Sequence, residues 1–239
     1  MVNLFHRDSP FVNLWHRLVA SCYDRALAPF EERWLRQKRC ELLQWCQGQV
    51  LEIGGGTGAN LECYAESGRL IFSDPDSAML AKSLPRLNRG RLAVQPLQCR
   101  AEDLPFKSQT FDTVVATLVL CSVCNLDGVL RDVARVLRRG GRFLFIEHVR
   151  AEGKVARWQD RLTPIWSRLA LGCHLNRNTV SHIQNAGFHL ARLERHHPPG
   201  MPRLAQPVYS GVALNRASHS LRKEEFERFD NIGAQGGHR

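Results

Sequence analysis

Four glycines in five positions, Gly54, Gly55, Gly56 and Gly58, follow the acidic residue Glu52, which lies within the apolar run 50–53. A buried strand that breaks into glycine and then resumes helix-compatible sequence leaves its backbone open to close approach by a ligand. In an open α/β sheet, that crevice beyond the carboxyl ends of the strands is where nucleotide-like ligands bind. Two patterns are satisfied at once. Gly54, Gly56 and Ala59 fit G-x-G-x-x-G/A, and Asp74 follows Gly54 by about 20 residues, as an acid on a dinucleotide ribose would. Glu52, Gly54, Gly56 and Gly58 also fit E-x-G-x-G-x-G. An acid two residues before the first glycine repels a pyrophosphate and suits a cationic ligand. A turn with spare glycines is the bland alternative, and the backbone entropy of so many glycines argues against it.

A cationic ligand at such a loop points to S-adenosylmethionine (SAM), whose sulfonium and ammonium groups Glu52 would favour. Alternating strands and helices must position these residues. Two amphipathic helices are expected over 12–46, broken near Ala28-Pro29-Phe30, before a first strand at 50–53 and a helix over 59–65. Further strands are expected at 69–73, 92–97, 111–117 and 142–147, with helices over 76–84 and 126–137; Gly140-Gly141 reads as the turn that stops the last helix. This rhythm implies right-handed crossovers and a parallel sheet covered on both faces. After Val149 it changes. An inserted amphipathic helix over 155–171 carries Trp158 and Trp166, Asn178 reads as the N-cap of a helix ending near Gly187, and 188–193 and 207–214 read as closing strands.

Taken in order, these residues resemble the class I SAM-dependent methyltransferases over about residues 20–215. Glu52 to Gly58 is similar to the cofactor loop and Asp74 to the acid on the ribose hydroxyls. Ala101-Glu102-Asp103-Leu104-Pro105-Phe106 is similar to the adenine loop, Phe111-Asp112-Thr113-Val114-Val115 to the buried fourth strand, and Leu137-Arg138-Arg139-Gly140-Gly141 to the L-[RK]-P-G-G turn. Five ordered matches displace the dinucleotide reading. Arg100 stands where many relatives have an acid, which leaves adenine to the Ala101 backbone and Glu102; a solvated loop carboxylate is the other reading of Glu102. The resemblance implies an α/β, Rossmann-like, seven-stranded, mostly parallel sheet with helices on both faces and an antiparallel last strand. It also implies cofactor contacts from Thr117, Leu118 and Tyr23. Residues 1–46 would form a helical lid, 47–215 the SAM-dependent domain with acceptor-side helices inserted at 155–186, and 216–239 a disordered tail.

A narrower likeness, to the thiol S-methyltransferases, rests on Thr117-Leu118-Val119-Leu120-Cys121-Ser122-Val123, Glu147-His148-Val149 and Gly172-Cys173-His174-Leu175-Asn176-Arg177. A thiol acceptor must lose its proton, so a base or a nearby cation is needed. His148, after Glu147 at the end of the fifth strand, is the candidate catalytic base; a histidine that merely closes the strand end is the equal alternative. His174 and Arg177 would cover the acceptor, with Arg177 either acidifying a thiol or pairing with a carboxylate. Cys121 and Cys124 form a C-x-x-C without a second ligand pair at zinc-site spacing, so no metal is expected; arsenite binding by Cys121, Cys124 and Cys173 stays open, and small apolar packing is the plain reading.

The 239 residues, 44% hydrophobic and 23% charged, suit one large soluble domain. No apolar run reaches bilayer length, no signal-peptide core is visible, and eight scattered cysteines suit a reducing cytoplasm. The net charge of +10 is spread along the chain without the aromatic interleaving of an RNA-binding stripe, so nucleic acid is not an expected partner, while peripheral membrane contact stays open. The expectation is a cytoplasmic SAM-dependent enzyme acting on a small molecule, a thiol first. N- or O-methylation of a lipid or quinone precursor, which an apolar lid of Trp158, Ile165 and Trp166 would suit, is the second reading. Arsenite methylation and a SAM- or RNA-binding module without turnover are the others.

Overall fold

The central strands form on apolar runs, and the helices carry the residues that cover them. The computed structural model describes residues 24–25, 28–65, 68–87, 92–170 and 172–215. A π-helical turn, Glu31–Leu35, runs into α1 (Arg36–Leu43), followed by β1 (Gln49–Ile53), β2 (Arg69–Asp74), α2 (Ser77–Leu87), β3 (Ala93–Gln98) and β4 (Phe111–Thr117). Then come α3 (Leu126–Val136), β5 (Leu137–His148), α4 (Gly153–Leu169), α5 (Thr179–Asn185), β6 (Phe188–His196) and β7 (Val208–Asn215). The seven strands lie in the order β3-β2-β1-β4-β5-β7-β6. Strands β1 to β5 pair in parallel, and β7 inserts antiparallel between β5 and β6. The expected Rossmann-like architecture is present. Strand order reverses between β1 and β4, which opens the crevice at their carboxyl ends.

Period-two alternation divides the core between the two faces of the sheet. Leu51, Ile53, Val114, Ala116, Phe143 and Phe145 face Leu126, Val129, Leu130, Val133 and Val136 of α3. That helix is fixed by its i, i+3, i+4 apolar spacing and by Asn125, whose side chain accepts the Gly128 N–H at 3.0 Å. On the other face, Val50, Leu70, Phe72, Val115, Leu144 and Ile146 pack with Leu35, Leu42 and Leu43 from the π turn and α1.

Several expected boundaries move. Residues 28–30 are helical, so no break falls at Ala28-Pro29-Phe30. The helix expected over 59–65 shrinks to one 3-10 turn, Leu61–Cys63, because Asn60 and Tyr64 both reach back to Glu52. Helix α3 ends before the glycines: Leu137 is already extended and pairs with Phe111, and Gly140, at φ +71°, lies within an irregular stretch of β5. A disulfide joins Cys40 on α1 to Cys63, which withdraws the support that the cysteine pattern lent to a reducing compartment. Among the described residues no helix is long and apolar enough to cross a membrane. Tyr23, residues 1–22 of the expected lid and the tail from 216 lie outside the described residues.

Candidate active site

The glycine loop takes its shape from its neighbours. Gly54, Gly56 and Gly58 have φ of +61°, +58° and +84°, a region that side chains disfavour. A Cβ on Gly54 would meet Val119 at 2.6 Å and one on Gly55 would meet Phe72 at 2.2 Å, whereas one on Gly56 would meet nothing within 4 Å. The loop therefore closes against the β4 side at Gly54 and opens at Gly56. Gly56 donates its N–H to Asp74 Oδ2 at 2.8 Å, and Asp76 donates its own to Oδ1 at 2.8 Å. Asp74, at the end of β2, is 6% exposed, and burial pushes its pKa up to about 6. Each oxygen keeps a lone pair for a further donor. An open cradle of glycine backbone beside a buried carboxylate fits a ribose-bearing ligand such as SAM.

Glu52 is buried and already partnered. Its carboxylate accepts from Asn60 Nδ2 at 2.9 Å and from the Tyr64 hydroxyl at 2.8 Å. Asn60 also donates to Thr117 Oγ1 at 3.1 Å and accepts from Arg39 at 2.8 Å. Burial pushes the Glu52 pKa up to about 7. This network ties β1, β4, α1 and the loop together. Asn60, Tyr64 and Arg39 were not singled out in the sequence, since nothing in their spacing marks them as partners of Glu52.

In the loop after β3, Ala101 is buried and Glu102 Oε1 accepts the Cys124 N–H at 2.9 Å. Burial raises the Glu102 carboxyl, but the Cys124 amide and Arg100, 3.5 Å away, outweigh it and hold the group below its ordinary value. Through that bond Glu102 anchors the loop after β4. Thr117 ends β4, and Leu118 follows at φ +58° with its N–H bonded to the Ile146 carbonyl at 2.8 Å. Asp24, next to Tyr23 in sequence, accepts from Thr57 at 2.5 Å and pairs with Arg86 at 3.1 Å. A contact between the N-terminal segment and the glycine loop was therefore missed at Asp24, one residue from the expected one.

The carboxyl ends of β4 and β5 build a second cluster. Glu147 is fully buried and accepts the Val119 and Leu120 N–H groups at 2.7 and 2.8 Å, while its Oε2 has no hydrogen-bond partner; burial raises its pKa. Arg177 donates to the Leu120 carbonyl at 2.6 Å, and the His174 N–H to the Cys121 carbonyl at 2.8 Å. The Arg177 guanidinium thus braces this loop, and among the described residues it forms no ion pair with a carboxylate. His148 is 7% exposed, its Nε2 stands 3.0 Å from Cys173 Sγ, and its Nδ1 is buried without a partner. Burial alone would lower the His148 pKa; Cys173 and Glu147 outweigh it and raise the ring above its ordinary value. The Cys121 thiol, then burial, push the Cys173 thiol well up. Val119, two residues before Cys121, is the side chain that faces Gly54, so the two clusters adjoin.

Trp158, Ile165 and Trp166 on α4 are 55%, 60% and 43% exposed, and the helix turns Ala156, Gln159 and Thr163 inward.

A family model described as a methyltransferase domain matches residues 51–145. Human thiol S-methyltransferase TMT1A is 37% identical over 171 residues, 69% of this chain and 70% of the relative. Human thiol S-methyltransferase TMT1B is 35% identical over 205 residues, 77% of this chain and 82% of the relative. Among solved structures, a SAM-dependent methyltransferase from Thermotoga maritima, titled a possible histamine N-methyltransferase, superposes with a TM-score of 0.63 at 17% identity, covering 85% of this chain and 99% of the other. The last likeness speaks for the fold alone. The glycine cradle, the buried Asp74 and these relatives agree: the chain belongs to the class I SAM-dependent methyltransferases, enzymes that take a methyl group from SAM, and within that class it resembles the thiol S-methyltransferases.

Proposed function

We propose that this enzyme methylates the sulfur of a small thiol. The carrying observation is the cluster of His148, Cys121, Cys173 and Arg177 at the carboxyl ends of β4 and β5, beside the glycine loop. The names of the two human relatives support the same acceptor. SAM supplies an electrophilic methyl group whose displacement leaves a neutral thioether.

The chain's own residues bind, orient and exclude water. Gly54, Gly56 and Gly58 let backbone approach the cofactor, Asp74 accepts its ribose hydroxyls, and Ala101 and Glu102 flank its adenine. Thr117 and Leu118 line the side towards the acceptor, and Glu52 favours the cation through Asn60 and Tyr64. Asp24, next to Tyr23 in sequence, holds the glycine loop through its contacts to Thr57 and Arg86. His148 takes the acceptor's proton, and the Arg177 guanidinium stabilises the thiolate that remains. A dry pocket strengthens that attraction, and holding donor and acceptor in line supplies much of the rate.

The test is transfer from methyl-labelled SAM to a simple alkyl thiol, run beside an amine, a phenol and a quinone precursor. The thioether should form, and His148→Ala should lower turnover while SAM affinity is kept. Label passing to a quinone or phenol but to no thiol would overturn the assignment.

A further inference from the structure

Cys121, His148 and Cys173 lie 52 residues apart at their extremes, yet the fold brings their three donor atoms within 4.8 Å of one another. We propose that they form a binding site for a thiophilic divalent cation of the zinc class. The inference goes beyond thiol methylation and does not require it. Two sulfurs and an imidazole are a soft donor set, which selects zinc-class ions over magnesium or calcium. Tetrahedral coordination, with metal–sulfur bonds of about 2.3 Å and metal–nitrogen bonds of about 2.0 Å, needs donor atoms about 3.6 to 3.8 Å apart. His148 Nε2 and Cys173 Sγ, now at 3.0 Å, reach that spacing by opening slightly.

The donors are held by backbone, not by chance side-chain proximity. His148 ends β5 and pairs with Val208 of β7. Cys121 sits in a loop whose amides bond to Glu147 and whose carbonyls accept from Arg177 and His174. Cys121 and His148 are buried and Cys173 is half-buried, so an ion enters from the Cys173 side. Binding forms two sulfur–metal bonds, sends two thiol protons to solvent and uses the lone pair of a neutral imidazole. Two thiolates cancel the dication. Arg177 then leaves the fourth position suited to an anion or a water, as in sites with three protein ligands. An ion on Nε2 also removes that nitrogen as a proton acceptor, so occupancy and methyl transfer compete.

Cobalt titration tests this. The full chain, reduced with a phosphine, stripped by chelator and kept without oxygen, is titrated first with Co2+ and then with Zn2+, with no acceptor present. A thiolate-to-cobalt charge-transfer band should saturate at one equivalent and vanish as zinc displaces cobalt. It should be lost in Cys121→Ser and Cys173→Ser, weakened in His148→Ala and kept in Cys124→Ser, with SAM binding reporting that each variant folds. Should a serine variant fail to fold, zinc protection of Cys121 and Cys173 from alkylation in the wild-type chain, mapped by peptide mass, gives the answer. Absence of both the band and the protection overturns the site, as does a band that depends on Cys40 and Cys63. A chain that takes no cobalt yet methylates thiols overturns the metal site alone; cobalt binding without thiol methylation overturns the proposed function alone.

Discussion

Acidifying the buffer from pH 7 to pH 5 should weaken SAM binding about tenfold through Asp74 alone. Burial pushes this carboxyl up to about 6, although the Asp76 and Gly56 amides pull the other way. Only the ionised form can accept both ribose hydroxyls, so the apparent dissociation constant scales as one plus the ratio of protonated to ionised Asp74. For a pKa near 6 that ratio is about 10 at pH 5 and about 0.1 at pH 7. Glu52, raised to about 7 by burial, adds up to about a further 50-fold over the same window if the bound cation holds it fully ionised. The sign is fixed by linkage: both carboxyls bind protons in the free chain near neutrality, and a cationic ligand expels them, so affinity rises with pH. Stopping at pH 7 keeps the cofactor's amino group protonated, since such groups titrate at about 7.7 to 8.0. Calorimetry at constant ionic strength measures the profile. Asp74→Asn should flatten the profile by about tenfold, and Glu52→Gln, which can still bond to Asn60 and Tyr64, should remove the remainder. A wild-type constant that stays level from pH 5 to 7, or a slope unchanged in both variants, refutes the reasoning.

The glycines separate packing from binding. Gly54→Ala puts a Cβ 2.6 Å from Val119 at φ +61°, and urea unfolding should show a loss of about 2 to 4 kcal/mol. Gly56→Ala meets nothing within 4 Å, so it should lose only about 1 to 2 kcal/mol while SAM affinity collapses; a variant that still binds SAM would place the cofactor elsewhere. Tyr64→Phe strips Glu52 of a donor at 2.8 Å and should destabilise the chain by about 1 to 3 kcal/mol, with Glu52 titrating higher still; unchanged stability would mean that water replaces the hydroxyl freely.

What could be read in the residues was whatever depends on local pattern. The runs that became β1, β4 and β5 are apolar because parallel central strands are buried on both faces, and Asp74 was findable because it ends β2 immediately before Pro75. The Glu52 network was not. Asn60 and Tyr64 stand 8 and 12 residues past Glu52, and because Glu52 lies on a strand and they lie beyond the glycine loop, no helical or strand period links them. A single 3-10 turn, Leu61–Cys63, stands between them, and both side chains reach back to β1. The His148 cluster was half legible: its position at the end of β5 followed from the strand, but its neighbour Cys173 arrives from beyond α4, and only the topology of β5, β7 and the intervening loop brings it there.

Helix α4 carries the sharpest lesson, since an amphipathic pattern says that a helix has two faces without saying which one the protein keeps. Trp158, Ile165, Trp166 and Leu169 are all left at the surface, and the buried positions go to Ala156, Thr163 and a glutamine. Gln159 is 0% exposed because it docks on backbone: its oxygen accepts the Ala151 N–H at 2.7 Å, and its nitrogen donates to the Leu204 and Gln206 carbonyls at 2.9 and 3.2 Å. Where a helix packs against a loop rather than a sheet, the loop's unpaired amides and carbonyls must be satisfied, and a side chain bearing both a donor and an acceptor outcompetes tryptophan for the inner face. Hydrophobic periodicity finds sheet-facing helices such as α3, but it ranks side chains by their aversion to water and is blind to the hydrogen bonds that the partner surface of α4 demands.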